Sequence, residues 1–294
     1  MTSRALAVAL LALCGLGASA CGAAAGPDAA DAGAAHAAEI SSASARPAST
    51  EVRAASEASA KTAPAPAAAA APTPVKPLAG KVIVIDPGHN GGNYRHPEII
   101  NKNVDVITES KPCDTTGTAT NDGYSEAAFT WDVAKRMVKV LKAKGATVKL
   151  TRGDNDSVGP CITERAAIGN KAHANAAISV HADGAPASGR GFHVIMPKKI
   201  GGPVDPVVGK SAKLGLALRD AYKSGTGMPY STYIGKNALD YRSDLGGLNL
   251  STVPKVFIET GNMRNPRDAA KLKDPAFRQR IADSLAKGLQ DYLG

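Results

Sequence analysis

Four residues have the types and settings for hydrolytic chemistry: His89, Glu126, His181 and Glu259. His89 follows the apolar run Val82-Ile83-Val84-Ile85 and the turn residues Asp86-Pro87-Gly88. A β-branched run of this kind reads as a strand buried on both faces. Pro87 fixes its own φ and Gly88 permits φ > 0, so the chain turns sharply and delivers a histidine off the strand. His181 repeats the arrangement directly after Ala176-Ala177-Ile178-Ser179-Val180. Binding sites of open α/β sheets gather outside the carboxyl ends of strands. Two imidazoles brought there, with the Glu126 carboxylate, can supply His, Glu and His to one ion. Three protein ligands with a fourth position open is the geometry of catalytic zinc, and this donor set suits zinc better than calcium or magnesium. Glu259 follows Val256-Phe257-Ile258 and is a candidate general base or acid. Each residue also has a plainer reading. A histidine after a strand is about as often a surface-loop residue, and Glu126 complements a helix N-terminus. Glu259 can simply accept backbone hydrogen bonds at the next turn. His96, His173 and His193 are weaker candidates, lying in a long insertion, near a helix end and inside a strand.

The elements that must position these residues alternate along the chain. Ser125 caps a helix that Gly145 ends, with Phe129, Val133, Met137 and Leu141 as its buried stripe. Glu126 sits on that stripe, where an unpaired carboxylate is costly. Strands are expected at 147–151, 176–180, 191–196 and 253–258. Helices are expected from a Thr163 cap to about His173, within 206–223, and from Asp274 or Pro275 to about Leu293. Arg165 falls in a helix's first turn, which is unfavourable unless it points at an anion. Residues 90–122 form a long, irregular insertion with a strand near 104–107. It leaves the rim that carries His89, so it is expected to flank or partly cover the site. The Gly- and Tyr-rich stretch 224–250 is expected to wall the substrate.

The remaining third is different in kind. A positively charged start, the apolar run Ala5–Leu16 and Ala18-Ser19-Ala20 read as a secretory signal peptide over 1–20. Cys21 follows directly, which resembles a bacterial lipoprotein signal; plain cleavage and secretion is the alternative. Residues 21–79 are rich in Ala and Pro, have no aromatic residue, and read as a disordered tether. The folded domain is then 80–294. Charges cancel before residue 80, so the formal excess of +9 belongs to the domain and suits an anionic partner outside the cytoplasm. Nucleic acid is excluded by export and by the 4% aromatic content, which leaves little for base stacking. In that oxidising setting Cys113 and Cys161 are expected to form a disulfide, with two free thiols as the alternative.

Four stretches, in order, resemble the zinc-dependent N-acetylmuramoyl-L-alanine amidases that cut bacterial peptidoglycan. They are Ile85-Asp86-Pro87-Gly88-His89-Asn90-Gly91, Ser125-Glu126, Ile178-Ser179-Val180-His181-Ala182-Asp183 and Phe257-Ile258-Glu259-Thr260-Gly261-Asn262. Thr163-Glu164-Arg165 with Ile168 and Asn170 is similar to the family's helix before the second histidine. The resemblance implies a single α/β domain with a mixed, mostly parallel sheet and helices on both faces. It implies one Zn2+ on His89, Glu126 and His181, with Glu259 as the catalytic glutamate and peptidoglycan as substrate. Asn90 departs from the pattern, where Gly is frequent, and the insertion 93–123 is long. With no wall-binding repeat, targeting falls to the tether, the basic surface or another protein such as an activator. The expected location is the periplasm or cell envelope, with any membrane attachment through Cys21. A monomer is expected. Another zinc peptidase of the wall, such as a carboxypeptidase, and a non-catalytic wall-binding lipoprotein are the competing readings.

Overall fold

The computed structural model describes residues 76–294. The expected signal peptide over 1–20, Cys21 and nearly all of the expected tether over 21–79 lie outside the described residues. The domain begins slightly earlier than residue 80, because Leu78 is fully buried in the main core and its N–H donates to the Lys144 carbonyl.

The elements run β1 (Val82–Pro87), α1 (Pro97–Ile100), β2 (Asn103–Asp105), β3 (Ser110–Pro112), α2 (Glu126–Ala143), β4 (Thr147–Leu150) and α3 (Ile162–Lys171). They continue with β5 (Ala176–Asp183), β6 (His193–Pro197), α4 (Val208–Thr226), β7 (Leu239–Arg242), α5 (Gly246–Asn249), β8 (Lys255–Asn262), α6 (Pro266–Lys273) and α7 (Pro275–Leu293). Six strands form one sheet in the order β4-β1-β5-β8-β6-β7. The first four are parallel; β6 is antiparallel to β8, and β7 is parallel to β6. The sheet is therefore mixed and mostly parallel, as the resemblance implies.

Alternation along the strands explains the two faces. Ile83, Ile85, Ile178, Val180, Val256 and Ile258 point into the main core, where they meet Phe129, Val133 and Met137 of α2, Leu214 and Leu218 of α4, and Phe277 and Ile281 of α7. On the opposite face Val84 and Ala177 pack under α3 in a smaller cluster with Ala174 and Val253. That face also carries Asp86, Ser179, His181, Phe257 and Glu259, so the site is built on the side with the thinner cover. Among the described residues, no helix is long and apolar enough to cross a membrane.

Several boundaries differ from the sequence reading. Ser125 does cap α2, accepting from the Ala128 N–H, and Gly145 follows its end at φ 96°. Helix α3, however, is capped by Cys161, whose N–H donates to the Glu164 carboxylate at 3.1 Å; Thr163 lies inside the first turn. Strands β5 and β8 continue past the expected ends because they keep pairing with each other, His181 opposite Glu259, up to a bulge before Asp183. The insertion holds a two-stranded antiparallel ribbon, β2 with β3, where one strand was expected. Its tip is tied across the cleft: the Thr108 hydroxyl donates to the Ser243 carbonyl, Lys111 pairs with Asp244 at 2.9 Å, and Asn249 donates to the Val106 carbonyl.

Candidate active site

His89 sits two residues past the end of β1 in the left-handed region, at φ 55°. The strained residue is thus the histidine and not Gly88. Gly88 is needed for space: a Cβ there would lie 2.1 Å from His181 Cε1. The loop beyond is held by Arg152, which donates to the Pro87 carbonyl and to Asn90 Oδ1 at 2.8 Å. This gives Asn90 a structural task at the position where Gly is frequent in the resemblance.

Glu126 opens α2 and is 4% exposed. Its Oε2 lies 3.3 Å from His89 Nε2, and its Oε1 2.8 Å from His181 Nδ1. Backbone N–H groups of Thr118 and Ala182 also donate to it. Among the described residues, these three form the group of His, Cys, Asp or Glu side chains able to share an ion, with one donor atom from each lying within 4.8 Å of the others. Gly117 closes over them at φ 74°; a Cβ there would come within 2.6 Å of the His89 ring. Two imidazole nitrogens, one carboxylate and a tight cradle fit a small divalent cation. The electrostatics agree. Burial disfavours charge on His89, yet the Glu126 carboxylate, helped by Asp114, raises it to about 10. Burial opposes ionisation of Glu126 as well, but the two histidines hold it well below the usual carboxylate range. Burial lowers His181. The carboxylate therefore demands a cationic companion, which a bound ion would supply.

The insertion contributes a residue that sequence reasoning missed. Asp114 is buried, and its Oδ1 accepts from His89 Nδ1 at 3.0 Å while its Oδ2 pairs with Arg165 at 3.0 Å. Arg165 also pairs with Asp86 at 3.0 Å, so the first-turn cation does point at anions. Asp86 in turn takes Lys255 and the hydroxyls of Thr151 and Ser179, a buried network beneath the site. Asp114 follows Cys113, which is bonded to Cys161 as the sequence reading expects. That neighbouring cysteine was the available signal. The bond closes a separation of 48 residues. Reducing it, or pairing Cys113→Ser with Cys161→Ser, is expected to lower unfolding free energy by about 3–4 kcal/mol. Urea unfolding checks this, and an unchanged midpoint would count against a stabilising bond.

Glu259 lines the same cleft, a cavity of about 390 Å³. It is the register partner of His181, so its carboxyl lies at the edge of the His89, Glu126 and His181 cradle without belonging to it. Burial, then the carboxylates of Glu126 and Asp183, push its pKa well above the ordinary value. Lys111, Asp114 and Thr115 of the insertion and Arg242, Asp244 and Leu245 of the 224–250 stretch complete the walls, as the sequence reading expects of both segments.

A sequence profile described as N-acetylmuramoyl-L-alanine amidase matches residues 83–291. The chain belongs to this amidase family. It is 41% identical over 218 residues to the N-acetylmuramoyl-L-alanine amidase Rv3717 of Mycobacterium tuberculosis, covering 74% of this chain and 88% of that protein. The crystal structure of the N-acetylmuramyl-L-alanine amidase Ami1 from Mycobacterium smegmatis superposes with a TM-score of 0.70 at 41% identity, over 74% of this chain and 98% of that one. The apo form of Ami1 from Mycobacterium abscessus gives the same score and identity, over 74% and 100%. In this amidase the other histidines fall elsewhere. His96 is paired with Glu98, His173 lies two residues past the end of α3 at φ 46°, and His193 is buried in β6.

Proposed function

We propose that this amidase cuts the amide between the lactyl group of N-acetylmuramic acid and the L-alanine of the stem peptide, with one zinc ion on His89, Glu126 and His181 and with Glu259 as general base and acid. The observation that carries the reading is the convergence of the three donor atoms within 4.8 Å beside Glu259, the register partner of His181. Zinc in that cradle supplies Lewis-acid polarisation of the scissile carbonyl and lowers the pKa of water. Every other task belongs to side chains. Asp114 engages His89 Nδ1 and so leaves Nε2 free to face Glu126. Glu259 takes a proton from the attacking water and later gives it to the leaving amine nitrogen. The carboxylates that raise its pKa favour its holding that proton between the two steps. At the mouth, Lys111 pairs with Glu109 and Asp244, and Arg242 with Asp244, so this wall offers both signs of charge to a peptide. Export by residues 1–20 and a lipid on Cys21 would hold the domain near the wall on the 21–79 tether.

The test uses a defined disaccharide-peptide and mass spectrometry of the products. Release of the intact stem peptide together with free disaccharide is the expected outcome. Loss of a single terminal residue would instead identify a carboxypeptidase.

A further inference from the structure

His193 is the buried histidine that the mechanism above does not use. It is 2% exposed, and its Nδ1 has no hydrogen-bond partner. Its place in the sheet is informative. Strand β6 runs antiparallel to β8 with His193 directly opposite Glu259. Directly opposed residues share a face and have Cβ atoms about 4.5–5.5 Å apart. Glu259 thus has a histidine on each side, His181 on β5 and His193 on β6. Its Oε2 is also buried without a partner. Tyr233 closes the group. Its ring meets His193 edge-on at 5.9 Å, and its hydroxyl is a third unpartnered atom. Burial and the carboxylates of Asp183 and Glu259 keep the proton on that hydroxyl.

A buried polar atom left unpaired is costly, so the unpaired atoms of His193 and Tyr233 beside the unpaired Glu259 Oε2 call for a common explanation. One water with two to four polar partners answers to that arrangement. Burial lowers the pKa of His193 against the pull of Asp183 and Asp240, so the ring is neutral and offers one N–H.

Resting on the assignment of Glu259 as general base, we propose that His193 is a positioning residue for it. Through a shared water, and together with the Tyr233 hydroxyl, it holds Oε2 so that the other carboxylate oxygen faces the reacting water. His193 neither gains nor loses a proton in the cycle; the proton moves only from water to Glu259 to the leaving amine.

Four substitutions test this on the zinc-loaded protein with a disaccharide-peptide. His193→Phe keeps the ring and removes both nitrogens; kcat is expected to fall about 10- to 100-fold while KM and zinc content stay unchanged. His193→Asn puts an amide near Nδ1 and is expected to recover most of that loss. Tyr233→Phe, a milder change nearer the surface, should lower kcat about 3- to 10-fold with KM unchanged. Adding His193→Phe to Glu259→Gln should cost nothing more, because the residue acts only through that carboxylate. Equal losses in His193→Phe and His193→Asn, or full additivity with Glu259→Gln, would reduce His193 to packing. If His193→Phe does not fold, unchanged turnover in Tyr233→Phe overturns the proposal on its own. Near-normal turnover in Glu259→Gln would remove the general base itself, a failure distinct from that of His193.

Discussion

Glu259→Gln is expected to lower kcat by about 10²- to 10⁴-fold while zinc content stays that of the wild type. Glutamine keeps the shape of the side chain but cannot accept the proton from water. The residue contributes no donor to the His89, Glu126 and His181 group, so the metal has no reason to leave. Stability should move the other way. The Glu259 carboxyl is disfavoured by burial and by its neighbours Glu126 and Asp183. A neutral amide relieves that repulsion, and the midpoint of thermal unfolding should rise or hold. An inactive enzyme that is no less stable is the signature of a strained catalytic group. Turnover close to wild type would mean that the proton is handled elsewhere. The same result separates this reading from a wall-binding lipoprotein, in which the substitution would change nothing measurable in binding.

Much of this arrangement was legible in the residues themselves. The β-branched run before His89 and the strand before His181 are local patterns, and each predicted its element and the rim it feeds. The stripe from Phe129 to Leu141 likewise fixed α2 and left Glu126 as an anomaly with a purpose. What was not legible depends on pairing between distant strands. The lengths of β5 and β8 are set by mutual hydrogen bonding, so Glu259 lies inside a strand whose end the local sequence places earlier. The antiparallel entry of β6 brings His193 opposite Glu259, which neither segment announces. The short β7 and α5 carry too few residues to show a period. Asp114 was hidden for another reason: its role arises from a loop whose path is set by the Cys113–Cys161 bond and by Arg165, both distant in sequence. Gly88 was recognised as special on conformational grounds, whereas the structure makes it a matter of room for His181.

His89→Ala should lose both metal and activity, and Asp114→Asn should weaken metal binding without abolishing it. The contrast follows from what each residue touches. His89 offers one of three donor atoms, and a site reduced to Glu126 and His181 has too few protein ligands to hold zinc against a chelator. His89 is also the cation beside a carboxylate that is 4% exposed, so its loss leaves Glu126 with His181 alone as a weak companion. The apo variant should therefore be less stable than apo wild type. Asp114 acts one step away. It accepts from His89 Nδ1 and is itself held by Arg165, and removing such a partner typically weakens metal binding about 10- to 100-fold. Asparagine keeps an oxygen able to accept from Nδ1 but drops the charge, so the smaller figure is expected. Competition against a chromophoric chelator reads both affinities directly, and activity regained on zinc titration reads them independently. Wild type and Asp114→Asn should recover after chelation, the variant at higher free zinc, while His89→Ala should stay silent at any concentration. Unchanged zinc affinity in His89→Ala would place the ion elsewhere, and with it the chemistry assigned to this cleft.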